Sequence, residues 1–164
     1  MSAPSNVLKE VHGRVALLII NRPEKRNALD GATRAQLIDL LDELRADAEV
    51  RVVVLTGAGD KAFVAGADIA ELSTQSPVDG KERSIRGQKV LDRIENLGKP
   101  VVAAVNGFAV GGGHVLHVLC DLTIASDNAR FGQTGPRVGS FDAGYGAAYL
   151  ARVVGEKRAR EIWF

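Results

Sequence analysis

Residues 101–113 have the sequence VVAAVNGFAVGGG, and this stretch decides the fold. Its first five residues, Val101–Val105, are all apolar, which is typical of a strand in a parallel sheet that is covered on both faces. The glycines Gly111–Gly113 follow, and the apolar stretch Gly112–Cys120 has the composition of a buried helix. A buried strand that leads through glycines into a helix indicates one unit of an α/β protein.

The alternation of strand and helix continues on both sides of this segment. The predicted strands are Val15–Ile20, Val52–Leu55 and Leu122–Ala125, and the predicted helices are Thr33–Ala48, Ile85–Leu97 and Glu156–Phe164. The polar stretch Ser73–Lys81 is predicted to be a loop. We therefore expect an α/β fold with parallel pairing, built as a single domain over residues 1–164.

The composition excludes several classes of protein. The 164 residues are 46% hydrophobic and 25% charged, with a net charge of +1, so the chain is not disordered and has no basic excess for binding nucleic acid. Its one cysteine, Cys120, excludes a disulfide framework and suits a reducing compartment. No apolar run approaches the ~18 residues of a membrane span, and Met1–Glu10 lacks the apolar core of a signal peptide. We expect a cytoplasmic protein that binds neither nucleic acid nor a membrane.

Two segments place small residues where a helix is expected to begin, namely Ala65-Gly66-Ala67 and Gly111-Gly112-Gly113. The unpaired backbone N–H groups at such points can bind an oxygen atom that gains negative charge, and small residues let a substrate approach them. The same glycines would also serve tight turns and close helix packing. The residue pattern by itself leaves both interpretations open.

The helix predicted over Gly112–Cys120 carries His114, His117 and Cys120 at intervals of three residues. These residue types can bind metals, but the series drifts around a helix by about 60° at each step. We therefore expect no metal site, polar tips bonded to the backbone, and a thiol whose pKa is raised by its apolar surroundings. Asp121, which follows this helix, is expected to form a structural hydrogen bond.

Asp142 lies in the glycine-rich stretch Gly139–Gly144. A carboxylate in an apolar loop is expected to have a raised pKa, which suits proton transfer. Asp142 would equally serve as the N-cap of a helix that begins at about Ala143. Both roles remain open at this point.

Three groups of residues resemble motifs of the enoyl-CoA hydratase (crotonase) superfamily: NRPEKRNAL over 21–29, AGADI over 65–69, and Lys99-Pro100-Val101 through Gly111–Gly113. The resemblance covers essentially the whole chain and implies the family's spiral of ββα units, here stopping before the C-terminal helices of the family. It also implies binding of acyl-CoA thioesters and an oxyanion hole formed by the backbone N–H groups of Ala67 and Gly112. The residues that it implies for CoA or substrate binding are Lys25, Arg26, Ala28, Ala65, Gly66, Asp68, Ile69 and Gly111.

The second part of the chain departs from the hydratase pattern. The two catalytic glutamates of hydratases are replaced by Val115 and Gly135, whereas residues 107–164 resemble the 1,4-dihydroxy-2-naphthoyl-CoA synthases of menaquinone synthesis. Those lyases cyclise o-succinylbenzoyl-CoA by an internal Claisen condensation. This resemblance implies that Asp142 moves protons and that Ser140 holds the substrate. It also implies a bicarbonate ion framed by Gln133, Thr134 and Gly135, with CoA as part of the substrate and no tightly bound organic cofactor.

Residues 1–106 are more similar to hydratases, and the tyrosine expected in a mobile loop of the synthases is absent, because no tyrosine precedes Tyr145. Three functions are therefore compared: a synthase-type lyase, a hydratase/isomerase-type enzyme, and a non-catalytic acyl-CoA-binding or assembly module. Ser140 and Asp142 together favour the first. The apolar end at Ile162–Phe164 leads us to expect a homo-oligomer, a trimer or a dimer of trimers.

Overall fold

The fold was obtained as a computed structural model, and the structure describes residues 5–140, 142 and 144–164. The strands are β1 (Val7–His12), β2 (Val15–Ile20), β3 (Val52–Gly57), β4 (Ala62–Val64), β5 (Val101–Val105), β6 (Phe108–Val110), β7 (Leu122–Ala125) and β8 (Arg130–Gly132). The helices are α1 (Gly31–Ala46), α2 (Ile69–Leu72), α3 (Pro77–Glu95), α4 (Gly112–Leu119), α5 (Gly135–Val138), α6 (Gly146–Val154) and α7 (Glu156–Trp163), and a 3-10 turn covers Pro23–Lys25.

The strands form two sheets. The larger sheet has the order β1-β2-β3-β5-β7, and the smaller sheet has the order β4-β6-β8. Every pairing is parallel except that of β1 with β2, which form a hairpin. Each short strand of the smaller sheet follows a strand of the larger one, so the chain repeatedly returns to the same end of the molecule. The expected α/β fold with parallel pairing is confirmed.

Most predicted elements are confirmed, but the region before Ile85 is not. The stretch Ser73–Lys81 was expected to be a loop, and this prediction is wrong from Pro77 onward, because α3 begins there. Ser76 and Asp79 form a capping box in which each side chain accepts a hydrogen bond from the backbone of the other, and Pro77 occupies the first turn. The predicted helix start at Ala143 is also wrong, since α6 begins at Gly146; Ala143 itself lies outside the described residues.

Glycine allows α4 to pack directly on the smaller sheet. A Cβ atom at Gly113 would lie 1.9 Å from the carbonyl oxygen of Val64 in β4. A Cβ atom at Gly107 would lie 2.4 Å from the carbonyl oxygen of Lys61. The packing interpretation of the glycines is therefore correct for Gly113 and Gly107.

The helices and the exposed strand β7 bear on whether the chain crosses a membrane or associates with other chains. Among the described residues, none of the helices combines the length and the apolarity that crossing a membrane requires. Strand β7 leaves Leu122 and Ile124 mostly exposed. The expected homo-oligomer and the single domain over residues 1–164 stay predictions.

We expect Gly113→Ala to lower the free energy of unfolding by about 3 kcal/mol, because the new methyl group must displace the backbone of β4. The matched control is Gly87→Ala within α3, where a Cβ atom meets nothing within 4 Å. This control should raise the free energy of unfolding by ~0.5–1 kcal/mol. Urea unfolding of both variants checks the prediction, and equal effects of the two substitutions would contradict it.

Candidate active site

The loop between β2 and α1 is held in shape by a buried asparagine. Arg26 and Asn27 both adopt left-handed backbone conformations, with φ of 52° and 57°. The side chain of Asn27 is fully buried; it accepts a hydrogen bond from Arg22 N–H (3.0 Å) and donates to the carbonyl oxygens of Ala58 (3.0 Å) and Ala62 (2.7 Å). The buried amide can make all three hydrogen bonds only when the loop has this conformation, so this geometry is the stable one.

Arg22 joins this loop to the starts of two helices. Its guanidinium lies 2.9 Å from a carboxylate oxygen of Asp68 and 3.0 Å from one of Asp30, and it donates to the carbonyl oxygen of Ala28. Asp30 is the N-cap of α1, and Asp68 is the N-cap of α2. The hydrogen bond from Arg22 lowers the pKa of Asp68, and the backbone N–H groups at the start of α2 lower it further.

A backbone bridge beside this network determines the direction of the Ala67 N–H. Leu29 N–H donates to the carbonyl oxygen of Gly66 (2.8 Å), and Asp68 N–H donates to the carbonyl oxygen of Leu29 (3.1 Å). Leu29 and Ala67 therefore form a parallel bridge. Because successive peptide groups of an extended chain alternate in direction, the N–H of Ala67 points away from Leu29.

Gly112 supplies a second free donor. It is the first residue of α4, where a backbone N–H has no partner within the helix. A Cβ atom on Gly66 would come within 3.7 Å of the Gly112 nitrogen, so the two small-residue segments touch. Within the part of the chain that the structure describes, neither Ala67 N–H nor Gly112 N–H donates to the backbone of another element. The structure therefore brings together the two proposed donors.

Asp142 lies near Val115, which is in the first turn of α4. A methyl group at Gly146 would lie 2.6 Å from a methyl group of Val115 and 2.9 Å from a carboxylate oxygen of Asp142, so the Asp142 carboxylate lies close to Val115, three residues after Gly112. Asp142 also accepts hydrogen bonds from Ala147 N–H (2.7 Å), in the first turn of α6, and from Gly144 N–H (3.2 Å). It therefore supports the start of α6, although the N-cap position itself belongs to Tyr145.

The backbone closes over the other position where hydratases carry a glutamate. Ser140 N–H donates to the carbonyl oxygen of Gly135 (2.9 Å), and a Cβ atom at Gly135 would lie 2.7 Å from the carbonyl oxygen of Ser140. A side chain at Gly135 would require this loop to move. Ser140 itself is exposed at this turn.

Of the residues expected to frame bicarbonate, Gln133 and Thr134 differ in environment. Gln133 is buried, and its side-chain nitrogen lies 3.1 Å from His114 Nδ1. Burial lowers the pKa of His114, so the neutral ring accepts this hydrogen bond. Thr134 is exposed, and a Cβ atom on Gly111 would lie 3.4 Å from its hydroxyl oxygen. Thr134 therefore borders Gly111, the residue before α4, whereas the side chain of Gln133 is already partly engaged by His114.

The histidines and the cysteine of α4 serve packing. The His114 partner is a side chain, so the expectation of backbone partners is wrong for this residue. Burial and the neighbouring His114 lower the pKa of His117 to about 4, and burial raises the pKa of Cys120 to about 12. Among the described residues, no group of three His, Cys, Asp or Glu side chains is placed to hold a metal ion. Asp121 accepts a hydrogen bond from Val101 N–H (2.8 Å), as expected.

The residues expected to bind CoA surround the loop that Asn27 holds. Lys25 and Arg26 are exposed, Ile69 is 79% exposed, and Ala65 is half-buried. Ala28 and Asp68 are buried, and the carboxylate of Asp68 is engaged by Arg22. No sequence pattern predicted the role of Arg22, although it lies in the quoted NRPEKRNAL motif.

The enoyl-CoA hydratase/isomerase family profile matches residues 10–164. The chain belongs to the enoyl-CoA hydratase/isomerase family. Its fold is similar to that of an enoyl-CoA hydratase from Bacillus anthracis, with 34% identity and a TM-score of 0.94 over 96% of this chain. It is also similar to an enoyl-CoA hydratase/carnithine racemase from Magnetospirillum magneticum (32% identity, 98% of this chain, TM-score 0.91) and to an enoyl-CoA hydratase from Thermoplasma volcanium (32%, 97%, 0.90). This family member spans only 61%, 61% and 63% of those three chains, respectively.

We expect Asp68→Asn to lower the free energy of unfolding by about 2 kcal/mol at neutral pH, because a charged hydrogen bond to Arg22 is lost. The ionised carboxylate contributes fully well above 3.8, its ordinary pKa, and the contribution disappears as the pH falls through the lower pKa of the folded chain. The difference from the parent chain should therefore shrink below pH 3.8. Urea unfolding at neutral and acidic pH checks this, with the exposed Asp127→Asn as control. A difference that does not change with pH would contradict the prediction.

Proposed function

We propose that the chain binds acyl-CoA thioesters and stabilises the thioester enolate with the N–H groups of Ala67 and Gly112. The observation that carries this proposal is the close approach of Gly66 to Gly112, in two segments that each have a backbone N–H without a partner in another element among the described residues. Donors placed in advance where charge develops lower the barrier, because they need no reorganisation during the reaction. The position of Gly112 at the start of α4 adds the positive end of the helix dipole.

The carboxylate that we propose to act with these donors is that of Asp142, which lies close to Val115, three residues after Gly112. We infer that it removes a proton from the carbon next to the thioester carbonyl, whose acidity the two N–H groups increase. For o-succinylbenzoyl-CoA, the resulting enolate carbon would attack the ring carboxyl carbon. The new C–C bond closes the ring, a C–O bond of the carboxyl group breaks, and water leaves after its oxygen is protonated. This is a synthase-type lyase reaction, and the exposed hydroxyl of Ser140 lies in the same loop to hold the substrate.

Bicarbonate is proposed as a small anion at this site. The exposed hydroxyl of Thr134, beside Gly111, and the remaining amide hydrogen of Gln133 are donors that suit an anion. Bound there, it would supply a carboxylate-like group near Gly135, where hydratases carry a glutamate. Because the carbonyl oxygen of Ser140 fills the space that a side chain at Gly135 would need, the anion would be held by Thr134 and Gln133 rather than in place of such a side chain.

Hydration of an enoyl-CoA is the second candidate. Similarity to solved structures described as enoyl-CoA hydratases favours it. Against it, adding water to a double bond needs a group that activates the water and a group that supplies the proton. Val115 and Gly135 can do neither, and Asp142 can take only one of these roles at a time.

Gly112→Pro tests the oxyanion hole. Proline is tolerated at the first position of a helix, so α4 should still form while the N–H is lost. Loss of one such donor should lower turnover by ~10²–10³-fold. Gly112→Ala is the matched control, since it keeps the N–H and its methyl group would lie 3.8 Å from Gly66 Cα. Unchanged turnover in a folded Gly112→Pro variant would refute the assignment.

Asp142→Asn separates the two candidate reactions. Asparagine keeps the oxygen that accepts from Ala147 N–H, so the melting temperature should change little, whereas cyclisation of o-succinylbenzoyl-CoA should fall by ~10²–10⁴-fold. In the parent chain, added bicarbonate should raise cyclisation, and hydration of crotonyl-CoA should be very slow with or without it. Both products are followed for both thioesters. Rapid hydration that survives Asp142→Asn would instead assign the chain to the hydratases.

A further inference from the structure

A cavity of about 570 Å³ lies between β8, α5 and α7, next to the candidate active site. Its polar lining includes Gln133, Thr134, Arg137, Arg158 and Glu161. Thr134 belongs both to this cavity and to the surroundings of Gly111, because its hydroxyl faces that glycine. The cavity therefore adjoins Val110 and Gly111, the residues that directly precede Gly112.

The charge of this cavity is unbalanced. Arg137 and Arg158 are exposed, and within the described residues neither guanidinium has an ion-pair or hydrogen-bond partner. Glu161 supplies the single carboxylate of the lining and is not within ion-pair distance of either arginine. Two cations against one anion leave the cavity net positive, and guanidinium groups match the geometry of a carboxylate.

The remaining walls of the cavity are apolar. Val110, Phe131 and Ile162 lie beside the polar lining. A ligand that fits both features has a hydrocarbon body and an anionic end. A free inorganic anion would leave these apolar walls without a partner.

We infer that Arg137 and Arg158 hold a carboxylate carried by the acyl group of the thioester. This inference rests on the proposed function and names the substrate class: acyl-CoA thioesters with a second carboxylate. In o-succinylbenzoyl-CoA this group is the ring carboxylate. Its negative charge opposes attack by an enolate, and two guanidinium groups would offset that charge.

The test compares the binding of saturated thioesters, which have no double bond to hydrate, under conditions in which mass spectrometry shows that the acyl chains stay uncyclised. Adipoyl-CoA and hexanoyl-CoA have acyl chains of equal length and differ only in a terminal carboxylate, as do glutaryl-CoA and pentanoyl-CoA. Calorimetry at physiological salt should show tighter binding of the carboxylate-bearing member. Arg137→Gln and Arg158→Gln should each weaken binding of the carboxylate-bearing thioester by roughly three- to fivefold. The double variant should abolish the preference for that thioester over its partner without the carboxylate.

Hexanoyl-CoA and pentanoyl-CoA should bind all variants equally. The control is Arg51→Gln, which removes the same charge at an exposed position before β3. Retention of the preference in the double variant, or an equal loss in Arg51→Gln, would overturn the inference.

Failure of the inference and failure of the proposed function are distinguishable. If the parent chain binds both members of each pair equally, the inference is wrong and the proposed function stands. If no thioester binds, the proposed function is wrong, and titration with free adipate then tests the cavity directly. Adipate binding that is lost in the double variant supports a carboxylate site, and absence of binding refutes it.

Discussion

The candidate site depends on the ion pairs that the guanidinium of Arg22 forms with Asp30 and Asp68. The guanidinium is mostly buried and is shared by the carboxylates of Asp30 and Asp68, so its charge is compensated where an unpaired charge would be strongly destabilising. Through these two N-caps it sets the starts of α1 and α2 relative to the loop before them. The bridge between Leu29 and Ala67 forms within this frame and turns the Ala67 N–H away from Leu29. The direction of the Ala67 N–H, one of the two proposed donors, thus follows from a backbone bridge that forms beside this charge network.

The glycines divide into those that serve packing and those that serve the site. Gly113 faces the backbone of β4 and leaves no room for a side chain, whereas Gly112, the preceding residue, meets only Gly66 Cα at 3.8 Å. Close packing at Gly113 brings the start of α4 against the Ala65–Ala67 segment, and this leaves the N–H of Gly112 beside that segment. The two interpretations of the glycine pattern are therefore parts of one arrangement.

The sequence predicted the long apolar strands and the amphipathic helices, because their periodicity is local. It did not predict the strands of the smaller sheet, which have three residues each and are too short to show a period. The start of α3 was missed because a capping box outweighed the polar, proline-containing composition of its first turn. The role of Arg22 was missed because its partner Asp68 lies 46 residues away, and no local pattern records such a contact.

The two positions that lack glutamate are not equivalent. At Gly135 the carbonyl oxygen of Ser140 occupies the space that a side chain would need, so the loop excludes any substituent there. At Val115 a side chain is present, but it packs beside the carboxylate of Asp142. A glutamate at Val115 would place two carboxylates side by side, and the pKa of one of them would rise because two adjacent negative charges repel each other. Neither single replacement would recreate a pair of independent carboxylates, so Asp142 stays the one carboxylate to which the proposed proton transfer is assigned.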